Sequence, residues 1–418
     1  MNYLKDNSIS FYLFFFFIFS LILGNAAVNI VSLLIFFFVI YNLKKININN
    51  QLILLFLFFF SIITNSIIKN QNLLDLGLVR FLILTLFGYL FYKNINFEIK
   101  KIFRIFILAI SIVAIDNILI ESFGRNIYFS NEFNITTQKV TSLFGDEQIF
   151  GSYLSKLIIL ILSYVYCSEK KLNINFSNIF YSIVFCLGLY AVIISDERRA
   201  ILEIILAFIF LNLLQPNNIK LLISLSITAI LSLIIFINPI FKDKIINKSL
   251  AQLGLNKSIT FSDQKKFGIL FLDDNSFKNN QYYAMYKTAY NIWLDNKFLG
   301  GGHKSYRELC KNQKYQYDDR YSLIRCNSHP HSIYLQILSE FGLISFILFI
   351  ILNLILIIKA LSMDKDKLFM YPSLILLATL LIPLPSGNIF STWIGSIFWL
   401  NLGILLNASE SKNKSKLT

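Results

Sequence analysis

Long apolar runs alternate with short polar breaks along most of this chain. Runs near the ~20 residues that cross a bilayer lie at 9–24, 27–43, 51–68, 77–92, 102–120, 150–167, 179–195, 200–215, 219–238, 333–358, 368–386 and 389–407. Lipid offers the backbone no hydrogen bonds, and runs of this length are too long for barrel strands, so each is predicted to be a helix. The expected fold is an all-α polytopic membrane protein of about 12 transmembrane helices. One long polar stretch interrupts the pattern between the ninth and tenth runs. It divides the chain into a bundle over 1–238, a cap domain over 239–332, three further spans over 333–407 and a tail over 408–418. Inside the cap, Tyr282, Tyr286, Ala289 and Trp293 recur at helical spacing, which predicts an amphipathic helix whose aromatic stripe faces a packed surface.

Composition agrees with lipid as the solvent. Hydrophobic residues make up 56% and charged residues only 15%, at a mean hydropathy of +0.62, which excludes an ordinary soluble domain. The first apolar run reads as a retained helix, because no small-residue cleavage site follows it. A net charge of +14 would point to nucleic acid in a soluble chain. Here the lysines sit in short loops, and membrane topology accounts for them, so no nucleic-acid partner is expected. Lys5, Lys44, Lys45, Lys93, Lys100, Lys101, Lys170, Lys171, Lys220, Lys359, Lys365, Lys367, Lys412, Lys414 and Lys416 fall on alternate breaks and the two ends, which places both termini in the cytoplasm. Of the four cysteines, Cys167 and Cys186 lie in or beside spans. Cys310 and Cys326 share the polar stretch, where either a disulfide in an oxidising compartment or two free thiols fits.

That topology collects three features on the outer side: the loop 121–151, the turn Ser195-Asp196-Glu197-Arg198-Arg199, and the cap. Adjacent arginines at a helix start serve either as interface anchors or as anion ligands. Asp196 is expected to cap the helix, and Glu203, one turn after Arg199 inside an apolar run, is a functional candidate paired with Arg199. The second constellation is His329-Pro330-His331. Proline is tolerated in a first helical turn, so a helix is expected to begin here with His331 in that turn, held neutral by the helix dipole and able to accept a proton. A histidine that only bonds the cap is the alternative. Zinc held by His303, His329 and His331 lacks ligand spacing on one helical face, so no metal is expected. Gly300-Gly301-Gly302 reads as a helix stop and close-approach turn, followed by basic Lys304, Arg307, Arg320 and Arg325. The acidic pairs Asp273-Asp274 and Asp318-Asp319 carry little weight.

Four stretches resemble the O-antigen ligase family, which also contains Wzy-type polymerases and protein O-oligosaccharyltransferases: FGDEQIFGSYL at 144–154, SDERRAIL at 195–202, WLDNKFLGGGHKSYR at 293–307 and HPHSIYLQILSEFGLISF at 329–346. The resemblance implies a membrane glycosyltransferase of the inner membrane with its site facing the periplasm. Such an enzyme moves a glycan from undecaprenyl diphosphate to an acceptor hydroxyl on lipid A-core, with inversion and without metal or other cofactor. Polymerases share the chemistry with another glycan as acceptor. A lipid-linked sugar transporter or flippase is the rival class, but it predicts a pseudo-repeat between halves that the chain does not show. Carried over residue by residue, Arg198 matches the family's helix-start arginine, with Arg199 its competitor, and His331 matches the family's histidine. Arg307 and Lys287 compete for a second cation on the diphosphate. Glu203, His329 and Glu147 complete the expected substrate-binding set. The chain departs from the family at Asp146-Glu147, where relatives often carry Asn-Pro-Asn, and at Ser332, where Asn is frequent.

Overall fold

A computed structural model describes residues 2–70, 76–94, 99–127, 141–144, 147, 149–167, 176–214, 247, 281–316, 325–362 and 370–408. Helices α1 (Asn2–Leu23), α2 (Asn25–Tyr41), α3 (Asn50–Asn70), α4 (Leu76–Asn94) and α5 (Ile99–Phe123) are followed by α6 (Phe150–Cys167), α7 (Phe176–Ile194) and α8 (Arg198–Leu214). After the polar stretch come α9 (Gln281–Asp295), the short α10 (Ser305–Leu309), α11 (Ile333–Leu361), α12 (Met370–Leu381) and α13 (Ile394–Ala408). Among the described residues there is no strand. Among the described residues, three helices, Asn50–Lys69, Lys101–Phe123 and Ile333–Leu361, are long and apolar enough to cross a membrane, and there are shorter apolar helices besides. The described residues are thus all-helical, with apolar helices consistent with a membrane protein. The ninth apolar run, the acidic pairs at 273–274 and 318–319, and Arg320 lie outside the described residues.

The helices coincide with the apolar runs to within a few residues, except near the end of the chain. There α12 stops at Leu381 and α13 starts at Ile394, so two nearly continuous spans are separated by a non-helical segment, 382–393. Pro383 and Pro385 are the reason: neither can donate to a helical ladder, and each disfavours helix in the residue before it.

Close helix packing holds the bundle together. Where α4 crosses α13, a Cβ on Gly88 would collide with the Leu400 carbonyl, and one on Gly403 with the Thr85 carbonyl. Small residues at such crossings let two backbones touch where lipid supplies no hydrophobic drive between helices. Trp399 fills the adjoining space, with Phe59, Phe398 and Phe58 centroids at 4.9, 5.0 and 5.7 Å. Its indole N–H is satisfied by the Ile389 carbonyl at 2.8 Å.

α11 is broken. Gly342 takes φ 77 and ψ −176 in the middle of the helix, a conformation that suits only glycine. The residues after α9 repair the damage. Gly301 and Gly302 donate to the Ser339 and Glu340 carbonyls, both at 2.8 Å, while Leu343 donates to Lys297 at 2.8 Å. Asn65 of α3 adds a bond to the Glu340 carbonyl at 3.1 Å. The expected close-approach turn at Gly300-Gly301-Gly302 is thus the plug of this break, and a Cβ on Gly300 would strike the backbone of Phe341. The amphipathic helix expected around Tyr282 to Trp293 is α9, and the plug ties it to the bundle.

A buried charge cluster joins α6, α8 and α12. Arg199 Nε lies 2.9 Å from Glu203 Oε1, as the i,i+4 spacing predicts, and Lys156 Nζ reaches the other oxygen at 2.6 Å. Ser155 donates to the same carboxylate at 3.1 Å. With Glu203 and Lys156 each only 2% exposed, removing one partner strands a charge away from water. Glu203→Gln should therefore destabilise the protein by about 3–5 kcal/mol. Thermal unfolding in detergent checks this, and an unchanged midpoint would show that the cluster holds nothing together.

Candidate active site

The turn into α8 begins with Asp196 in the left-handed region, φ 58. Glu197 precedes the helix, and its carbonyl accepts from Ala200 N at 2.9 Å. The Glu197 carboxylate turns away to cap a different helix, accepting from Gly151 N at 2.8 Å, Ser152 N at 3.0 Å and Ser152 Oγ at 2.5 Å. That puts an anion on the N-terminus of α6. Burial pushes the Glu197 carboxyl up to about 7, opposed by the Ser152 bonds and by Lys156.

The two arginines at the start of α8 have different surroundings. Arg199 donates to the carbonyls of Thr379 at 3.0 Å, Leu380 at 3.2 Å and Ile382 at 3.4 Å, besides its bond to Glu203. It closes the C-terminal end of α12, where the Tyr334 hydroxyl also donates to the Leu381 carbonyl. Arg198 has no hydrogen bond or ion pair among the described residues, and Tyr282 and Asp196 lie within electrostatic reach of its guanidinium. Among the described residues, one arginine is engaged by the fold and the other is not.

The histidines occupy the loop before α11. Ser332 caps that helix, its hydroxyl accepting from Leu335 N at 3.4 Å. His331 therefore stands before the helix and not in its first turn as the sequence predicts, because serine is the better cap and Pro330 fixes the approach to it. The backbone of His331 is left-handed at φ 51, a conformation that a non-glycine residue keeps only under constraint. The constraint comes from Ser386 N, which donates to the His331 carbonyl at 2.8 Å, and from the Tyr286 hydroxyl at 3.4 Å. Its ring lies 5.7 Å from Tyr282, edge to face, and 4.3 Å from His329. Tyr282 thus touches His331 and lies near Arg198, which makes α9 one wall of the site.

His329 is bound on both nitrogens, Nδ1 at 3.0 Å from Ser328 Oγ and Nε2 at 3.2 Å from the Ser386 carbonyl. Burial, then His331, pulls its imidazole down to about 3, with Arg307 adding in the same direction and the Ser386 carbonyl opposing. Burial lowers His331 as well. Both rings are neutral at neutral pH.

Other expected residues are distributed around this centre. Arg307 lies on α10, exposed, with its charge felt by His329. The Lys287 ammonium sits 5.0 Å over the Tyr290 ring, on another face of α9 from Tyr282 and Tyr286. Glu147 is exposed in the loop before α6, and its side chain joins none of the site's contacts among the described residues. Cys310 and Cys326 form a disulfide that ties α10 to the histidine loop. His303 stacks on Phe341 at 6.0 Å, and no group of three or more His, Cys, Asp or Glu among the described residues is arranged to hold a metal.

Sequence reasoning missed several members. Ser386 belongs to a stretch that reads as apolar span, and only its neighbouring prolines signal the break. Lys156 is a lone lysine in the apolar run of α6, a signal as strong as Glu203. Tyr282 and Tyr286 were visible as a helical stripe, but periodicity does not say what a stripe faces.

No curated protein matches the chain. The family model for O-antigen ligase, Wzy_C, matches residues 183–350, from α7 to α11 and including Arg198, Arg307 and both loop histidines. Over that stretch the chain is similar to the O-antigen ligase family.

Proposed function

We propose that the protein transfers a glycan from undecaprenyl diphosphate to an acceptor hydroxyl, at the periplasmic face of a bacterial inner membrane, as an O-antigen ligase with lipid A-core as acceptor. The observation that carries this reading is one pairing. Tyr282 lies within electrostatic reach of the Arg198 guanidinium, which has no hydrogen bond or ion pair among the described residues, and its ring is 5.7 Å from the neutral imidazole of His331.

The reaction needs both. The donor's leaving group is a diphosphate, for which a planar guanidinium is the fitting electrophilic partner. The acceptor must lose one proton as its oxygen attacks the anomeric carbon from the side opposite the diphosphate, which inverts that centre; a neutral histidine accepts that proton. Arg307, on the same side as His329, supplies the second cation, with Lys287 its competitor and Glu147 at the rim toward the acceptor. His329, engaged on both nitrogens, supports the base. In this scheme the protein's own cations offset the charge of the leaving group, and no metal is required. The topology that goes with it has 12 spans, cytoplasmic termini and a periplasmic cap over 239–332. The disulfide between Cys310 and Cys326 supports an oxidising compartment for that cap.

Four outcomes test the reading. His331→Ala should leave a folded protein whose transfer rate falls by about 10²–10⁴-fold, and a near-normal rate would remove His331 as base. In cells, the same variant should leave polymer on the lipid carrier and none on lipid A-core; single repeat units on the core would assign the polymerase reaction instead. The arginines should separate by phenotype: Arg198→Gln loses kcat/KM at an unchanged melting point, whereas Arg199→Gln lowers the melting point. A shared phenotype would mean that the two are not divided between substrate and fold. Finally, a base whose proton affinity burial has lowered must be deprotonated to work. The acid limb of kcat/KM should therefore have its midpoint below the ordinary histidine value of about 6.5. A midpoint near 7 would assign the limb to Glu197.

A further inference from the structure

The residue four positions before His331 occupies the nitrogen that a base would use. Asn327 Nδ2 is 2.9 Å from His331 Nε2. The orientation of that amide is determined on its other side, where Asn327 Oδ1 accepts from Ser328 N at 2.7 Å. A backbone N–H can only donate, so the oxygen of the amide faces Ser328 and the NH₂ faces the imidazole. An NH₂ can only donate in turn. Nε2 of His331 is therefore the unprotonated nitrogen, and in a neutral ring the proton is on Nδ1.

Asn327 is exposed, but the chain on both sides of it is held. Cys326 is in the disulfide with Cys310. Arg325 is buried, donates to the Lys311 and Asn312 carbonyls at 3.3 and 3.2 Å, and accepts the Tyr306 hydroxyl on its own carbonyl at 2.6 Å. On the far side, Ser386 and Tyr286 grip the His331 carbonyl. The neighbouring ring has the opposite arrangement. His329 Nε2 faces a carbonyl and must carry its proton, which leaves Nδ1 to accept from Ser328 Oγ. One short loop thus sets two adjacent histidines in opposite tautomers.

We propose that Asn327 is a positioning residue that selects the tautomer of His331, keeping Nε2 free of its proton until the acceptor hydroxyl takes the place of the amide. The proposal rests on His331 being the base. When the acceptor arrives, its O–H replaces the amide N–H as donor to Nε2, so the imidazole keeps the same tautomer throughout and no proton has to move before the reaction. The ionisable groups around the ring are His329 in the same loop, Tyr282 and Tyr286 from α9, Arg198 beyond Tyr282, and Arg307 beyond His329. None of them donates to Nε2 among the described residues.

The test uses the full chain, labelled with ¹⁵N-histidine, in detergent. Only three histidines are present, so the spectrum of His331→Ala identifies the His331 signals by their loss. At pH 7.5 the expected wild-type state has Nδ1 protonated and Nε2 bare. Asn327→Asp replaces a donor by a group that only accepts, so it should move the proton to Nε2 and raise the midpoint of the acid limb. It should also lower kcat by about 10²–10⁴-fold, as expected for a base in the wrong tautomer, with KM within about threefold of wild type. Asn327→Ala should give a mixture of tautomers and an intermediate kcat, and Asn327→Gln should restore part of it. A wild-type Nε2 that already carries the proton, or an Asn327→Asp variant with unchanged ¹⁵N signals, overturns the proposal whatever the activity. If instead His331→Ala stays active, the assignment of the base fails, while the tautomer shift in Asn327→Asp is still read from the spectrum. The two failures are therefore distinct.

Discussion

A helix in lipid has nowhere to place an unbonded peptide group, and α11 is broken at Gly342. That single constraint organises the site. The broken turn exposes donors and acceptors that only another backbone can satisfy at such close range, and Gly300-Gly301-Gly302 is the stretch small enough to enter. Once it has entered, α9 is tied at its C-terminal end to the middle of α11. The N-terminal end of α9 then lies over the start of α11, which brings Tyr282 and Tyr286 to His331. The distance from the plug to the histidine is set by two short lengths of helix, so the wall of the site inherits the rigidity of the break.

The segment 382–393 plays the complementary part from below. It is non-helical at the end of two apolar helices, a placement tolerated only where the segment is buried in protein or lines a polar space. Its Ser386 bonds one histidine through N–H and the other through C=O. Asn388 accepts from Gln336 of α11 at 2.9 Å and from its own neighbour Phe390 at 2.6 Å, which fixes the turn. The loop histidines are therefore held by a frame with no freedom to follow them, and the left-handed conformation of His331 is what that frame imposes.

Charge is divided in the same way. Glu203 with Lys156 and Arg199 makes a neutralised, buried core between helices, and Arg199 uses its remaining donors on the end of α12. Glu197 is drawn to the start of α6. Among the described residues, Asp196 is the acid within electrostatic reach of Arg198, while Glu197 and Glu203 are engaged with other helices. The match of residues 183–350 to the family model for O-antigen ligase supports a ligase or polymerase type of function for these residues.

Much of this was legible along the chain. Apolar length alone determines the helices, because in lipid a helix is the one way for an isolated segment to satisfy its own backbone. Four-residue spacing determined the pairing of Arg199 with Glu203, and the triple glycine declared a close approach without naming its partner. The family resemblance led to the expectation that Arg198 and His331 belong to one set. What the tertiary structure alone decided is which group faces which. Arg198 and Arg199 are adjacent and chemically identical; beyond the spacing that pairs Arg199 with Glu203, it is the position of α12 that takes up the remaining donors of Arg199. The two histidines differ only in what lies against their nitrogens, and those partners, Ser386 and Asn327, come from a distant segment and from a turn whose geometry depends on a disulfide. Periodicity records which side of a helix is apolar; it holds no record of the neighbour across the gap, and hydrogen-bond direction, on which the chemistry of an imidazole depends, exists only once that neighbour is in place.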